Sequence, residues 1–184
     1  MYLLNEVVLA DYACQDEAGG SGLASCVGAV ADGTQIDTAT VGAKTFTVNA
    51  EDNAGNTATL THNYSVVYDF AGFFQPVENP DAWNMAKAGQ GIPVKFSLDG
   101  DQGLAIFNTG SPTAVQVACP SGTGTTYDAI ETTTANSSGL IYDADAGQYV
   151  YVWKTPKTLD GKCYKFKLGL NDGSSWYAQF DFRK

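Results

Sequence analysis

From Lys44 onward the apolar residues of this chain recur at every second position, and clusters of Gly, Asn, Asp and Thr interrupt the pattern. A period of 2 places alternate side chains on opposite faces of an extended strand, whereas a helix face needs a period of 3.6. In "KTFTVNAED", Phe46, Val48 and Ala50 share a face, and in "TLTHNYSVVY" so do Leu60, His62, Tyr64 and Val66. The intervening Asn53-Ala54-Gly55-Asn56 tolerates positive φ, so the two runs read as a hairpin. "QYVYVWKT" groups Tyr149, Tyr151 and Trp153. "CYKFKLGL" groups Tyr164, Phe166, Leu168 and Leu170, with Lys165 and Lys167 opposite. "SSWYAQFDF" groups Trp176, Ala178, Phe180 and Phe182, and "NDGSS" before it is a hairpin turn. "LAIF", Leu104–Phe107, reads as a further strand. The expectation is an all-β chain of two tandem antiparallel β-sandwich domains, to which the corner motif described below adds an immunoglobulin-like form.

The domain boundary is expected after "YSVVYDF", giving domains 1–69 and 70–184, with one long sandwich as the alternative. "AGFFQPVENPDAWN" reads as a connector stiffened by Pro76 and Pro80. Cys14, Cys26, Cys119 and Cys163 form one close and one distant pair, which fits a disulfide in each half and an oxidising, extracellular setting. A four-thiolate zinc site is the competing reading. The lack of any CxxC spacing and the presence of one histidine weigh against it.

The formal net charge is −10, from 20 acidic and 10 basic residues. Such a surface repels phosphate backbones, so nucleic acid is not expected as a partner. No apolar run is long enough to cross a membrane as a helix, so no membrane insertion is expected. The opening "MYLLNEVVL" has no basic leader and no small-residue cleavage site, which reads as the start of a piece of a longer secreted protein.

Chemistry-bearing motifs are sparse. His62 is the sole histidine, and it is expected at a strand end on the rim of a core. No P-loop or GxGxxG occurs, and the paired carboxylates fall in Gly-rich turns, so the chain is expected not to be an enzyme. Calcium is a variant reading for Asp16 and Glu17 and for Asp99 and Asp101, although their spacing is not that of an EF-hand. Trp153 and Trp176 are in phase with the core. Trp83 and Tyr177 are not, and they form the candidate exposed aromatic pair for a polysaccharide or another surface ligand. Asp145, Gly147 and Tyr149 fit the D-x-G-x-Y corner of immunoglobulin-like sandwiches, in which the tyrosine hydroxyl bonds back to the chain.

"GQGIPVKFSL" sets Lys95 between Val94 and Phe96. Alternation places it opposite the core face, and a salt bridge to an acid on the next strand is expected. Pro93 suggests an edge position or the first paired residue of its strand. Lys44, expected to precede its strand, and Lys95 are also the candidate amines of a self-cross-linking adhesin-type domain.

"PVKF", with "GFFQPVENP" before it and "YVWKT" and a Cys-containing strand after it, closely resembles the PxKF domain found near the C-terminus of secreted actinobacterial-type proteins. "ADYACQDEAGGSGLASCVG" with "TVNAEDNAGN" resembles the bacterial Ig-like repeats that often precede it. The resemblance implies a non-catalytic accessory or spacer module of a larger secreted or cell-surface protein. Its partners would then be upstream domains of the parent protein and cell-wall or substrate polysaccharide.

Overall fold

The computed structural model of the chain describes residues 1–120 and 139–183 with their side chains, and residues 126–129 as backbone. Among the described residues the regular structure is β-strand, apart from a 3-10 turn at Lys157–Leu159. The chain divides into two compact units, Met1–Tyr68 and Asp69–Lys184.

The first unit is one sheet built from β1 (Tyr2–Leu3), β2 (Leu23–Gly28), β3 (Gly42–Asp52) and β4 (Thr57–Val67), in the order β1-β4-β3-β2. The turn between β3 and β4 is held by Asp52. Its Oδ1 accepts the N–H groups of Ala54 (2.9 Å) and Asn56 (2.8 Å), and its Oδ2 accepts Asn56 Nδ2 (2.7 Å). Gly55 takes φ 87°, which a residue with a Cβ rarely adopts. The Cys14–Cys26 disulfide ties the preceding loop to β2. The core is thin. Val66, Val67 and Tyr68 are buried with Ile36 and Ala10, but Leu60 is 60% exposed. The alternation of β4 is real, yet little lies over its N-terminal half. Lys44 lies inside β3, opposite Tyr64, and does not precede the strand.

The second unit has two sheets. One, in the order β10-β11-β7-β5, contains β5 (Phe73–Phe74), β7 (Gly91–Phe96), β10 (Leu140–Asp143) and β11 (Gln148–Lys154). The other, in the order β8-β12-β13-β6-β9, contains β6 (Ala82–Met85), β8 (Thr113–Val117), β9 (Thr126–Ala129), β12 (Cys163–Gly169) and β13 (Ser175–Asp181). Aromatic rings fill the space between the sheets. Trp153 of β11 meets Phe166 of β12 at 5.1 Å and Phe180 of β13 at 5.1 Å, and it meets Phe182 at 5.8 Å. Phe166, Phe180, Phe96, Ile92 and Leu168 are almost fully buried, as two facing sheets require. The second disulfide joins Cys119, just past β8, to Cys163 at the start of β12.

Three local expectations fail. The presumed connector contains β5 and β6, and β6 runs parallel to β13 with Trp83 opposite Gln179. "LAIF" makes one isolated bridge, Phe107 to Leu170, because its carbonyls serve Asn171: Ile106 O accepts the Asn171 N–H (2.9 Å) and Ala105 O accepts Asn171 Nδ2 (2.7 Å). Trp176 is 36% exposed and lies flat on Phe70, with ring centroids 4.3 Å apart.

Tyr149 carries the corner expected of it. Its buried hydroxyl faces Gly103 O (3.1 Å) and Asp101 Oδ1 (3.3 Å) as acceptors, and it accepts the Gln102 N–H (2.5 Å). Burial, with Asp101 adding to it, pushes the phenol up to about 12. The folded value lies above the ordinary value of about 10, so the protonated phenol is bound more tightly in the folded state. This contribution is complete below pH ~10 and is lost as pH rises from there through the folded value. Alkaline unfolding curves should therefore fall steeply over that window in the native chain and less steeply in Tyr149→Phe. At neutral pH the variant should lose about 1–3 kcal/mol, because the Gln102 N–H is left without its acceptor.

Candidate functional site

The paired face of β3 and β4 presents Phe46, Val48 and Ala50 beside His62, Leu60 and Ala58, respectively. Residues 8–15 form a second wall, and together they enclose an open groove of about 690 Å³ in the first unit. That volume is within the range of small-molecule sites. Tyr12 braces the groove. Its hydroxyl donates to Val30 O (3.0 Å) and accepts the Gly28 N–H (2.9 Å), and its ring lies 5.8 Å from Phe46. Gly28 is required here, because a Cβ would stand 2.6 Å from the Tyr12 ring. Tyr64 donates to Asp37 O (3.0 Å), and burial pushes its phenol up. His62 is exposed in mid-strand, not at a strand end on the rim of a core, and it has no hydrogen-bond or ion-pair partner among the described residues. Sequence reasoning missed this groove. The available signal is the placing of Leu60 and His62 on one face, which alternation alone does not mark as open.

Trp83 and Tyr177 are brought onto one face of the second unit. Trp83 opposes Gln179 on β13, Gln179 opposes Lys165 on β12, and Tyr177 stands two residues before Gln179. Directly opposed residues point to the same side of a sheet, so Trp83, Gln179, Lys165 and Tyr177 share the side away from the aromatic core. The Lys165 ammonium sits over the Tyr177 ring, 4.2 Å from its centroid, and Val115 beside Lys165 is 63% exposed. The result is a flat patch of two half-buried aromatics, an amide and two lysines, Lys165 and Lys167.

Several acidic side chains, Asp16 and Asp101 among them, brace the turns in which they sit. Asp16 accepts the N–H groups of Glu17 (3.0 Å) and Gly22 (2.6 Å). Its contact with the Glu17 side chain and then the Gly22 N–H hold its carboxyl below the ordinary range. Asp101 accepts the Gly103 N–H (2.9 Å), Asp143 those of Asp145 (3.1 Å) and Ala146 (3.1 Å), and Asp172 that of Ser174 (2.7 Å). Asp99 takes φ 56° in an exposed turn. Among the described residues, the group of three ligand-type side chains with atoms all within 4.8 Å is Cys119, Cys163 and Asp181, and its two sulfurs are joined in a disulfide. Asp16 with Glu17, and Asp99 with Asp101, gather no third ligand in this way. Asp181 is buried and ion-paired to Arg183 (2.5 Å), whose hydrogen bonds hold its carboxyl down.

The candidate amines have ordinary surroundings. The Lys44 ammonium donates to Asp37 Oδ2 (2.5 Å) and Thr40 Oγ1 (2.7 Å), and that bond keeps the Asp37 carboxyl low and ionised. The salt bridge expected of Lys95 is not formed: among the described residues no acid lies within 4 Å of its amine. Its directly paired neighbours are Val150 on β11 and Phe74 on β5. Lys95 is half-buried beside these two apolar neighbours, whose surface its long aliphatic stem is suited to cover. The β5 pairing reaches only Lys95 and Phe96, so β7 is an edge at Pro93, where a missing N–H does little harm.

Comparison with protein-family models finds no match to the chain, and comparison with curated proteins finds none either.

Proposed function

We propose that this chain is a non-catalytic extracellular accessory module of a larger secreted or cell-surface bacterial protein. In this reading it is an Ig-like repeat followed by a PxKF-type domain, and it spaces a neighbouring domain from a surface or an insoluble substrate. One observation carries the reading. The carboxylates of Asp16, Asp52, Asp101, Asp143 and Asp172 each accept N–H groups of their own loops. An acid bound in this way stiffens a loop and is poorly placed to move protons. The two disulfides fit an oxidising compartment. The test is a fusion of the chain to a reporter hydrolase. Turnover on a soluble substrate should equal that of the free reporter, and a large loss would overturn the spacer reading.

A second reading is favoured by the shared face of Trp83 and Tyr177. On it, the module holds a polysaccharide by stacking sugar rings on the aromatics, with Gln179 and Lys165 as hydrogen-bond donors. Retention on an insoluble glycan that is lost in Trp83→Ala would establish it.

A further inference from the structure

Strand β4 has a long unpaired edge. β3 covers one side of it from Thr57 to Val66, whereas on the other side β1 pairs only with Val66 and Val67. Thr57 to Ser65 therefore present about 30 Å of open strand edge, in which every second residue turns its N–H and C=O outward. The other sheet-end strands are shorter or interrupted: β2 carries a bulge between Leu23 and Ser25, and β5, β8, β9 and β10 span two, five, four and four residues. β4 has no such device: no Lys, Glu, Asp or Pro lies anywhere in Thr57–Val67.

We propose that this edge pairs with the same edge of a second copy of the chain, antiparallel across a two-fold axis at Thr61. Two observations select this occupant. The first is charge. Met1–Tyr68 carries eight carboxylates against the single Lys44, so two copies repel over most of their surface, but the β4 edge is a seam free of carboxylates. The second is self-complementarity. Centring the nine-residue edge on Thr61 sets Thr61 against Thr61, Thr59 against Asn63 and Thr57 against Ser65 on the polar face. On the groove face it sets Leu60 against His62 and small Ala58 against large Tyr64. The polar pairings repeat the chemistry β4 already uses with β3, where Thr61 meets Thr47 (2.9 Å) and Thr59 meets Asn49 (2.8 Å) through their side chains. The new ladder satisfies backbone groups that otherwise face water, and it brings the exposed Leu60 of each copy against its partner.

The test is sedimentation of the 184-residue chain over a range of concentrations, with amide hydrogen exchange read in parallel. A monomer–dimer equilibrium is expected, with amides of Thr57–Ser65 gaining protection as concentration rises. Thr59→Lys combined with Thr61→Lys places like charges across the seam on exposed positions and should weaken the dimer by about tenfold or more, with the circular dichroism of the monomer unchanged. A chain that stays monomeric throughout, or a dimer that forms without protecting these amides, overturns the proposal. So does a dimer that the two lysines leave intact.

Discussion

In a Cys14→Ser/Cys26→Ser variant, about half or more of the Met1–Tyr68 units should be unfolded at room temperature while Asp69–Lys184 stays folded. The staple closes a loop of sequence separation 12, and opening it returns about 3 kcal/mol of chain entropy to the unfolded state. A unit of this size is stable by roughly 3–10 kcal/mol. This one belongs near the bottom of that range, because one sheet with an exposed Leu60 and half-buried Phe46 and Val48 removes little apolar surface from water. The composition supplies a clean readout. Trp83, Trp153 and Trp176 all lie in the second unit, so tryptophan fluorescence follows that unit alone. The variant should lose strand signal in circular dichroism and keep its tryptophan emission. A variant with both signals intact would show that the first sheet holds without its disulfide.

Phe166→Ala should cost the second unit about 3–5 kcal/mol. The side chain is 1% exposed and meets the rings of Trp153 (5.1 Å), Phe180 (6.3 Å) and Tyr151 (6.4 Å), so its removal opens a cavity between two rigid sheets. The neighbouring Lys167 points to the opposite, exposed side of β12, and Lys167→Ala should stay within about 0.5 kcal/mol of the native chain. Chemical unfolding followed by tryptophan emission separates the two. Equal midpoints for both variants would mean that β12 does not place Phe166 in a packed core.

The alternating pattern made the strands legible, because period 2 is a property of the chain alone. β3, β4, β11, β12 and β13 were all readable in this way, as was the corner made by Tyr149. What alternation leaves open is which face is covered and by what. Leu60 and His62 alternate as core residues do, yet they line an open groove, because covering them needs an element that packs from elsewhere. Trp176 is in phase with Ala178 and Phe180, but at the sheet's end its neighbour is one ring, Phe70. Strand β6 looks like a connector in the sequence because its pairing is parallel and reaches across the sequence to Gln179, and no local turn announces such a contact. The pairing of Trp83 with that strand is also what joins it to Tyr177, so the aromatic face was visible only as two out-of-phase residues. Lys95 lies on the face that alternation gives it but lacks the acidic partner expected of it. The face follows from phase, while the partner depends on the apolar residues that β5 and β11 happen to bring alongside.

The account turns on whether the chain holds a neighbour in place or holds a ligand. Co-sedimentation of the whole chain with a panel of insoluble glycans, read as the fraction left in solution, separates the two. The spacer account predicts that the chain stays in the supernatant with every glycan, and that Trp83→Ala behaves identically. Depletion by any one glycan, abolished in Trp83→Ala, would contradict it.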